Sequence, residues 1–177
     1  LGNTVDPGEI IGKYGADTAR LFILFAAPPE KELDWSDQGV EGCYRFLSRI
    51  WRLAEEISAR PVAPENMRKL ETLLHKTIRA VSKDLQEFGF NTAISRMMEL
   101  VNGMYQLGTT AEALDVLLRL LAPFAPHMTE ELWHTTLGHS SSIHQSTWPS
   151  FDPVLCEDDE ITLVLQVNGK VRDKVLV

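Results

Sequence analysis

The chain has 177 residues, a formal net charge of −8 and 44% hydrophobic residues. This length suffices for one domain with a real core, or for one domain plus a fragment of another. No stretch approaches the roughly 18 to 20 uninterrupted apolar residues of a membrane span, so we expect no membrane partner. Two isolated cysteines and scattered histidines predict no metal site and a reducing, cytoplasmic location.

Two short helices are predicted at the start of the chain. Asp6 is expected to cap the first helix, which ends near Gly15 because glycine tolerates the left-handed cap conformation. Asp17 is expected to cap a second helix over residues 18–26. Prolines at positions 28 and 29 end it.

A long amphipathic helix is predicted after Ser36, a favourable N-cap residue. Its apolar residues recur every three or four positions, as one buried stripe requires. They are Val40, Cys43, Leu47, Ile50, Ala54 and Ile57. Three arginines recur on a different face of the same helix: Arg45, Arg49 and Arg52.

The next helix, over about residues 65–88, has the same pattern and is expected to end at Gly89. Its predicted buried residues are Met67, Leu70, Leu74, Ile78, Val81, Leu85 and Phe88. Its polar side carries Lys76, Arg79 and Lys83. Residues 45–96 contain ten Lys or Arg against six Asp or Glu, although the whole chain is acidic. Any site for a polyanion should therefore lie on these middle helices.

Two further helices are predicted before residue 123. Asn91 is expected to cap a helix to about residue 107, with Ile94, Met97, Val101 and Met104 facing inward. Gly103 inside this helix costs roughly 1 kcal/mol relative to alanine, so we expect a neighbouring helix in close contact there. Thr109 and Glu112 predict a capping box for the leucine-rich helix that follows.

A proline hinge is predicted after the leucine-rich helix. Pro123 cannot continue a helix, whereas Pro126 suits the first turn of a new one. In that new helix, Met128, Leu132 and Trp133 fall on one face and should return to the same core.

The helical period disappears over residues 138–160, where Trp148 is expected to fold a long acidic connection against the bundle. A period of two follows in residues 161–177, interrupted by Asn168-Gly169, which favours a type I′ turn. A lone hairpin is marginal in water, so we expect a truncated second domain whose strand edges could pair with another copy of the chain.

The predicted fold class is therefore mainly α: a helical bundle with a short C-terminal β-hairpin from a truncated α/β domain. We expect junction helices in residues 1–35, the bundle in 36–138, a linker packed on the bundle in 139–160, and the hairpin in 161–177.

Several separated stretches resemble class I aminoacyl-tRNA synthetases. The stretch 120–133, with its Ala-Pro-Phe-Ala-Pro-His core, resembles the helical tRNA-binding domain of the enzymes for large aliphatic amino acids. Residues 1–7 resemble the run after the ATP loop, and residues 13–20 resemble the helix-entry motif. Residues 29–47 and the Gln-Val-Asn-Gly-Lys-Val-Arg run at 166–172 are similar to the bacterial leucyl-tRNA synthetase family in particular.

The resemblance implies a parent enzyme that uses ATP with Mg²⁺ to attach leucine to tRNA-Leu. Its catalytic and editing domains would precede residue 1, so this piece should contain no catalytic residue and no cofactor. The implied role is docking of tRNA, since arginine and lysine contacts to phosphate set register and orientation. The candidate residues are Arg45, Arg49, Arg52, Lys76, Arg79, Lys83, Lys170 and Arg172.

Two alternatives remain open at this point. The chain could be the equivalent region of a valyl or isoleucyl enzyme, although the run at 166–172 favours leucyl. It could also be a non-enzymatic helical interaction module, which its net acidity favours. In that case the cationic faces are merely solvated and form salt bridges along their own helices.

Overall fold

A computed structural model describes residues 5–26 and 35–157, together with the backbone of residues 162–167 and 170–176. The helices are α1 (Pro7–Tyr14), α2 (Ala16–Ala26), α3 (Asp37–Glu55), α4 (Pro64–Gln86), α5 (Phe90–Leu107), α6 (Ala111–Leu121) and α7 (Pro126–Thr135). Three short 3₁₀ turns lie at Ile57–Ala59, Ile143–Gln145 and Val154–Cys156.

The helix α5 lies at the centre of the bundle. It contacts α2, α3, α4 and α6, and its inward face is fully buried. That face consists of Ala93, Ile94, Met97, Leu100, Val101 and Met104. One core cluster extends from Leu21 in α2 to Ile143 in the segment after α7. The short helix α2 therefore packs with the long helices around one core.

Gly103 marks the close approach that the sequence predicts. A Cβ atom built on Gly103 would overlap the side chain of Leu73 in α4. The absence of a side chain lets α4 and α5 pack closely as a helical hairpin. The predicted close neighbour is confirmed.

Several predicted helix ends are confirmed. The Asp6 carboxylate accepts the Gly8 N–H at 2.8 Å, and the Ser36 hydroxyl accepts the Gly39 N–H at 3.1 Å. Gly15 ends α1 with a φ of 86°. Each of these caps depends on residues within a few positions, so local chemistry decides it.

Two predicted caps are wrong. Asn91 lies inside α5 and does not cap it. The cap of α6 is Thr110, whose hydroxyl accepts the Ala113 N–H at 3.1 Å, and not Thr109. The backbone N–H of Thr109 instead donates to the Arg60 carbonyl at 2.9 Å. This contact between distant segments holds Thr109 just before the helix, so the next threonine becomes the cap.

Two residues predicted to be buried in α4 are exposed. Met67 is 48% exposed and Phe88 is 65% exposed. Met67 lies in the first turn of α4, and Phe88 follows the end of the helix at Gln86. The helical period does not continue through Phe88, so that the apolar stripe of α4 stops at Leu85.

The predicted fold class requires a correction in its C-terminal part. The residues with described burial, 5–26 and 35–157, form helices, turns and loops without a strand. These residues support a helical bundle as the fold class. The α/β domain that the sequence predicted is not part of that class. Beyond them only backbone is described: β1 (Thr162–Val167) pairs antiparallel with β2 (Lys170–Leu176), with a register shift between Leu165 and Gln166. The predicted turn at Asn168-Gly169 lies outside the described residues.

Candidate nucleic-acid interface

Two of the sequence motifs contact each other across the bundle. The predicted role of Asp17 as a cap for its own helix is wrong, because its carboxylate accepts the His127 N–H at 3.2 Å and the Met128 N–H at 2.7 Å. These amides are the unpaired donors at the start of α7. The Arg20 guanidinium donates to the Pro123 carbonyl at 3.0 Å. The helix-entry motif therefore holds the proline hinge in place.

The three arginines of α3 are all exposed on one side of that helix. Arg45 and Arg52 lie two turns apart, beside the half-exposed aromatic residues Tyr44 and Trp51. A groove of about 540 Å³ lies next to these aromatic residues, between the start of α2, α3 and the start of α7. This side of α3 therefore combines guanidinium groups with aromatic rings.

Arg49 differs from the other two arginines because it is bound to α5. Its guanidinium donates to the Asn102 side chain at 2.8 Å and lies 4.9 Å from the centre of the Tyr105 ring. The Tyr105 hydroxyl donates to the Arg49 carbonyl at 2.7 Å. Arg60 lies 4.7 Å from the same ring and forms an ion pair with Glu56. Arg49 therefore contributes to the packing of α3 on α5 as well as to surface charge.

The three candidate cations of α4 have different environments. Arg79 and Lys83 are exposed, whereas Lys76 is half-buried and has a partner. Both α3 and α4 pack against α5. The two candidate sets therefore lie on separate helices joined through α5, and whether they form one tRNA-contacting ridge stays a prediction.

The last two candidates, Lys170 and Arg172, lie in β2, of which the structure describes the backbone. Lys170 pairs with Val167. Leu165 pairs with Asp173, but the next residue, Gln166, pairs with Val171. Arg172 therefore has no residue opposite it in β1. The side chains of both cations lie outside the described residues.

A hydrogen-bonded clamp attaches the segment after α7 to that helix. The Glu130 carboxylate accepts the Ile143 N–H at 2.8 Å and the Ser142 hydroxyl at 3.1 Å. His134 lies between Glu130, 3.1 Å from its Nε2, and the His139 carbonyl, 2.6 Å from its Nδ1. Both neighbours of the ring are acceptors, so the doubly protonated imidazolium satisfies both contacts.

Further contacts hold the same segment along the bundle. The His139 ring stacks on Trp133 with centroids 3.7 Å apart. Farther along the segment, the Trp148 indole N–H donates to the Ser82 hydroxyl at 2.8 Å. One side of α4 is therefore covered by the segment that follows α7.

We expect the clamp to weaken as the pH rises above neutrality. The His139 carbonyl, and then Glu130, raise the pKa of His134 above its ordinary value. Burial acts to raise the pKa of Glu130, but hydrogen bonds from Ile143, Ser142 and His134 outweigh it and lower that pKa. The stabilisation from His134 is therefore complete below a pH of about 6.5 and is lost as the pH rises through the raised folded value.

The check is the urea midpoint of unfolding at pH 6 and pH 8 for the wild type and His134→Gln. The wild type should lose more stability over this interval than the variant does. His144→Gln is the matched control, because the His144 side chain is more exposed and its Nε2 lies 4.0 Å from Glu130, too far for the hydrogen bond that His134 makes. Equal pH dependence of wild type and His134→Gln would contradict the assignment.

Burial raises the pKa of the Cys43 thiol to about 11, which keeps it protonated and unreactive at neutral pH. Among residues 5–26 and 35–157, no group of three or more His, Cys, Asp and Glu side chains is arranged to hold a metal ion. In the same part of the chain, no helix is long and apolar enough to cross a membrane.

The family model for the anticodon-binding domain of tRNA ligase matches residues 67–177. The chain therefore belongs to the family of anticodon-binding domains of tRNA ligases. Leucine–tRNA ligases from Geobacter sp. (strain M21) and Geotalea daltonii (strain DSM 22248) are 49% and 48% identical to it over 99% of its length. The predicted resemblance to leucyl enzymes is confirmed.

A solved structure agrees with the fold as well. The LeuRS of Agrobacterium radiobacter K84, in a ternary complex of LeuRS, tRNA and LeuAMS, is 31% identical and has a TM-score of 0.82 over the whole of this chain. The chain spans 24% of the length of the curated relatives and 25% of that solved chain.

Proposed function

We propose that this chain is the tRNA-docking region of a leucine–tRNA ligase that attaches leucine to tRNA-Leu with ATP and Mg²⁺. Catalysis and editing would belong to other domains of the parent enzyme, which acts in the cytoplasm. The observation that supports docking most directly is the presence of exposed cations on α3 and α4 within an acidic chain. The tRNA in the complex of the Agrobacterium relative supports the same partner.

The proposed contacts are to the phosphate backbone of tRNA. Arg45 and Arg52 lie about 10 Å apart along the α3 axis, given a rise of about 1.5 Å per residue. Arg79 and Lys83 lie one turn apart on α4. Such cations position a nucleic acid by charge and shape and do not read bases. We propose that residues 36–138 carry these contacts, with 1–35 as the junction to the catalytic domain and 139–160 as a linker.

A salt titration of binding to tRNA-Leu tests the proposal. Arg45→Ala/Arg52→Ala and Arg79→Ala/Lys83→Ala should each weaken binding and reduce the slope of log affinity against log salt by up to about 2, since each lost phosphate contact removes roughly 0.7 to 0.9. The net charge of −8 makes wild-type binding weak and salt-sensitive, so the series should begin at low salt.

Lys13→Ala/Arg96→Ala is the control, because it removes the same charge from α1 and α5 outside the candidate set. Arg49 is excluded from the multiple variants, since its loss would also disturb the packing on Tyr105. Unchanged affinity and slope in both candidate variants would remove these residues from the interface. Absence of wild-type binding at low salt would show that the chain acts only as a scaffold for other domains.

A further inference from the structure

The end of α4 contains a residue in an unfavourable backbone conformation. The Gly89 N–H donates to the Asp84 carbonyl at 2.7 Å, and the Phe88 N–H donates to the Leu85 carbonyl at 3.2 Å. This pair of bonds is a Schellman motif, whose left-handed position favours glycine. Phe88 occupies that position with a φ of 57°, and among the described residues it is the only non-glycine with a positive φ. The backbone here is strained by about 1 to 2 kcal/mol.

Burial does not compensate for this strain, because the Phe88 ring is 65% exposed. The ring makes an edge-to-face contact with Phe90, with centroids 6.0 Å apart and planes at 88°. Phe90 in turn contacts the buried ring of Phe124 at 6.4 Å. Contacts between aromatic rings therefore connect Phe88 through Phe90 to Phe124 in the core. The Phe88 ring itself remains accessible at the tip of the α4–α5 hairpin.

The last two turns of α4 and its C-cap residue, which precede Phe88, carry two exposed cations and two acids. Lys83 lies in the last turn of α4, and Arg79 lies one turn before it; both are exposed. Glu87 is the exposed acid of the turn, whereas the Asp84 Oδ2 atom is buried and accepts no hydrogen bond from any described residue. Proteins that bind single-stranded nucleic acid usually combine cations, which contact the phosphate backbone, with aromatic rings, on which bases stack.

We propose that Phe88 is a stacking platform for an unpaired base of the bound tRNA, next to the phosphate contacts of Arg79 and Lys83. This inference rests on the proposed tRNA-docking function. It explains why phenylalanine occupies a position where glycine would be more stable. Strained residues are retained where the geometry serves a site.

The test separates stability from binding in variants of Phe88. Phe88→Gly relieves the backbone strain and removes the ring, so it should fold at least as stably as wild type and bind tRNA-Leu roughly 5- to 100-fold more weakly. Its salt slope should equal that of wild type, because no charge is lost. Phe88→Trp should retain binding, and Phe88→Leu, which stays apolar but cannot stack, should lose it.

Two controls complete the experiment. Phe151→Leu changes another partly exposed phenylalanine, in the segment after α7, and should leave binding unchanged. A fully paired RNA duplex offers no unstacked base, so its affinity should not respond to Phe88→Gly.

Equal tRNA affinity of wild type and Phe88→Leu would overturn the stacking role while leaving the docking function intact. A stability loss in Phe88→Gly with unchanged binding would make Phe88 a packing residue. If wild type itself does not bind tRNA, the docking function fails and this inference fails with it.

Discussion

Gly108→Ala should unfold at a much lower temperature than wild type. Gly108 ends α5 with φ 94° and ψ 176°, a region that is essentially reserved for glycine. A Cβ atom at this position would lie 2.6 Å from the Pro61 carbonyl oxygen and 2.8 Å from the Val62 Cα. Both are backbone atoms, and the hydrogen bond from Thr109 to Arg60 holds the two segments together.

Strain and overlap act together in this variant. Backbone strain costs about 1 to 3 kcal/mol, and overpacking typically adds about 1 to 3 kcal/mol. We expect a loss of about 4 kcal/mol in the free energy of unfolding and a fall of roughly 10 °C in Tm. Calorimetry or urea unfolding measures both.

Gly42→Ala is the matched control for this experiment. Gly42 lies inside α3, and no atom lies within 4 Å of a Cβ built there. Alanine should therefore stabilise the helix by up to about 1 kcal/mol. Equal effects of Gly108→Ala and Gly42→Ala on stability would contradict the close contact between Gly108, at the end of α5, and the residues before α4.

Asp17→Ala should produce the second-largest loss of stability. The Asp17 side chain is 9% exposed and accepts two backbone N–H groups at the start of α7. Removing the carboxylate leaves both donors without a partner and removes a negative charge from the positive end of the helix dipole. We expect a loss of about 2 to 3 kcal/mol, measured by urea unfolding.

Asp17→Asn should lose less, because its amide oxygen still accepts one N–H. Asp6→Ala serves as the control, since Asp6 caps α1 by a single exposed hydrogen bond and should cost under about 1 kcal/mol. Faster hydrogen exchange at His127 and Met128 in Asp17→Ala, with α1 unaffected, would locate the change. An Asp17→Ala loss no greater than that of Asp6→Ala would contradict the long-range cap.

Local interactions were predictable from the sequence because their partners lie within one helical turn. The caps at Asp6 and Ser36, the break at Gly15 and the buried stripe of α3 through Val40 and Ile50 all belong to this group. The close packing at Gly103 was also predictable, because a glycine inside a helix is unfavourable without a neighbour. The family resemblance could likewise be identified from ordered strings of residues.

The sequence by itself thus determined the helical class, most helix boundaries and the identity of the cationic residues on α3 and α4. Only the tertiary structure decided which of those residues have partners. Asp17 turns from its own helix to α7, 110 residues away, and Arg49 contacts α5. Phe88 leaves the apolar stripe because a Schellman turn ends α4 before it. In each case the deciding contact joins segments that periodicity treats separately, since periodicity describes one helix at a time.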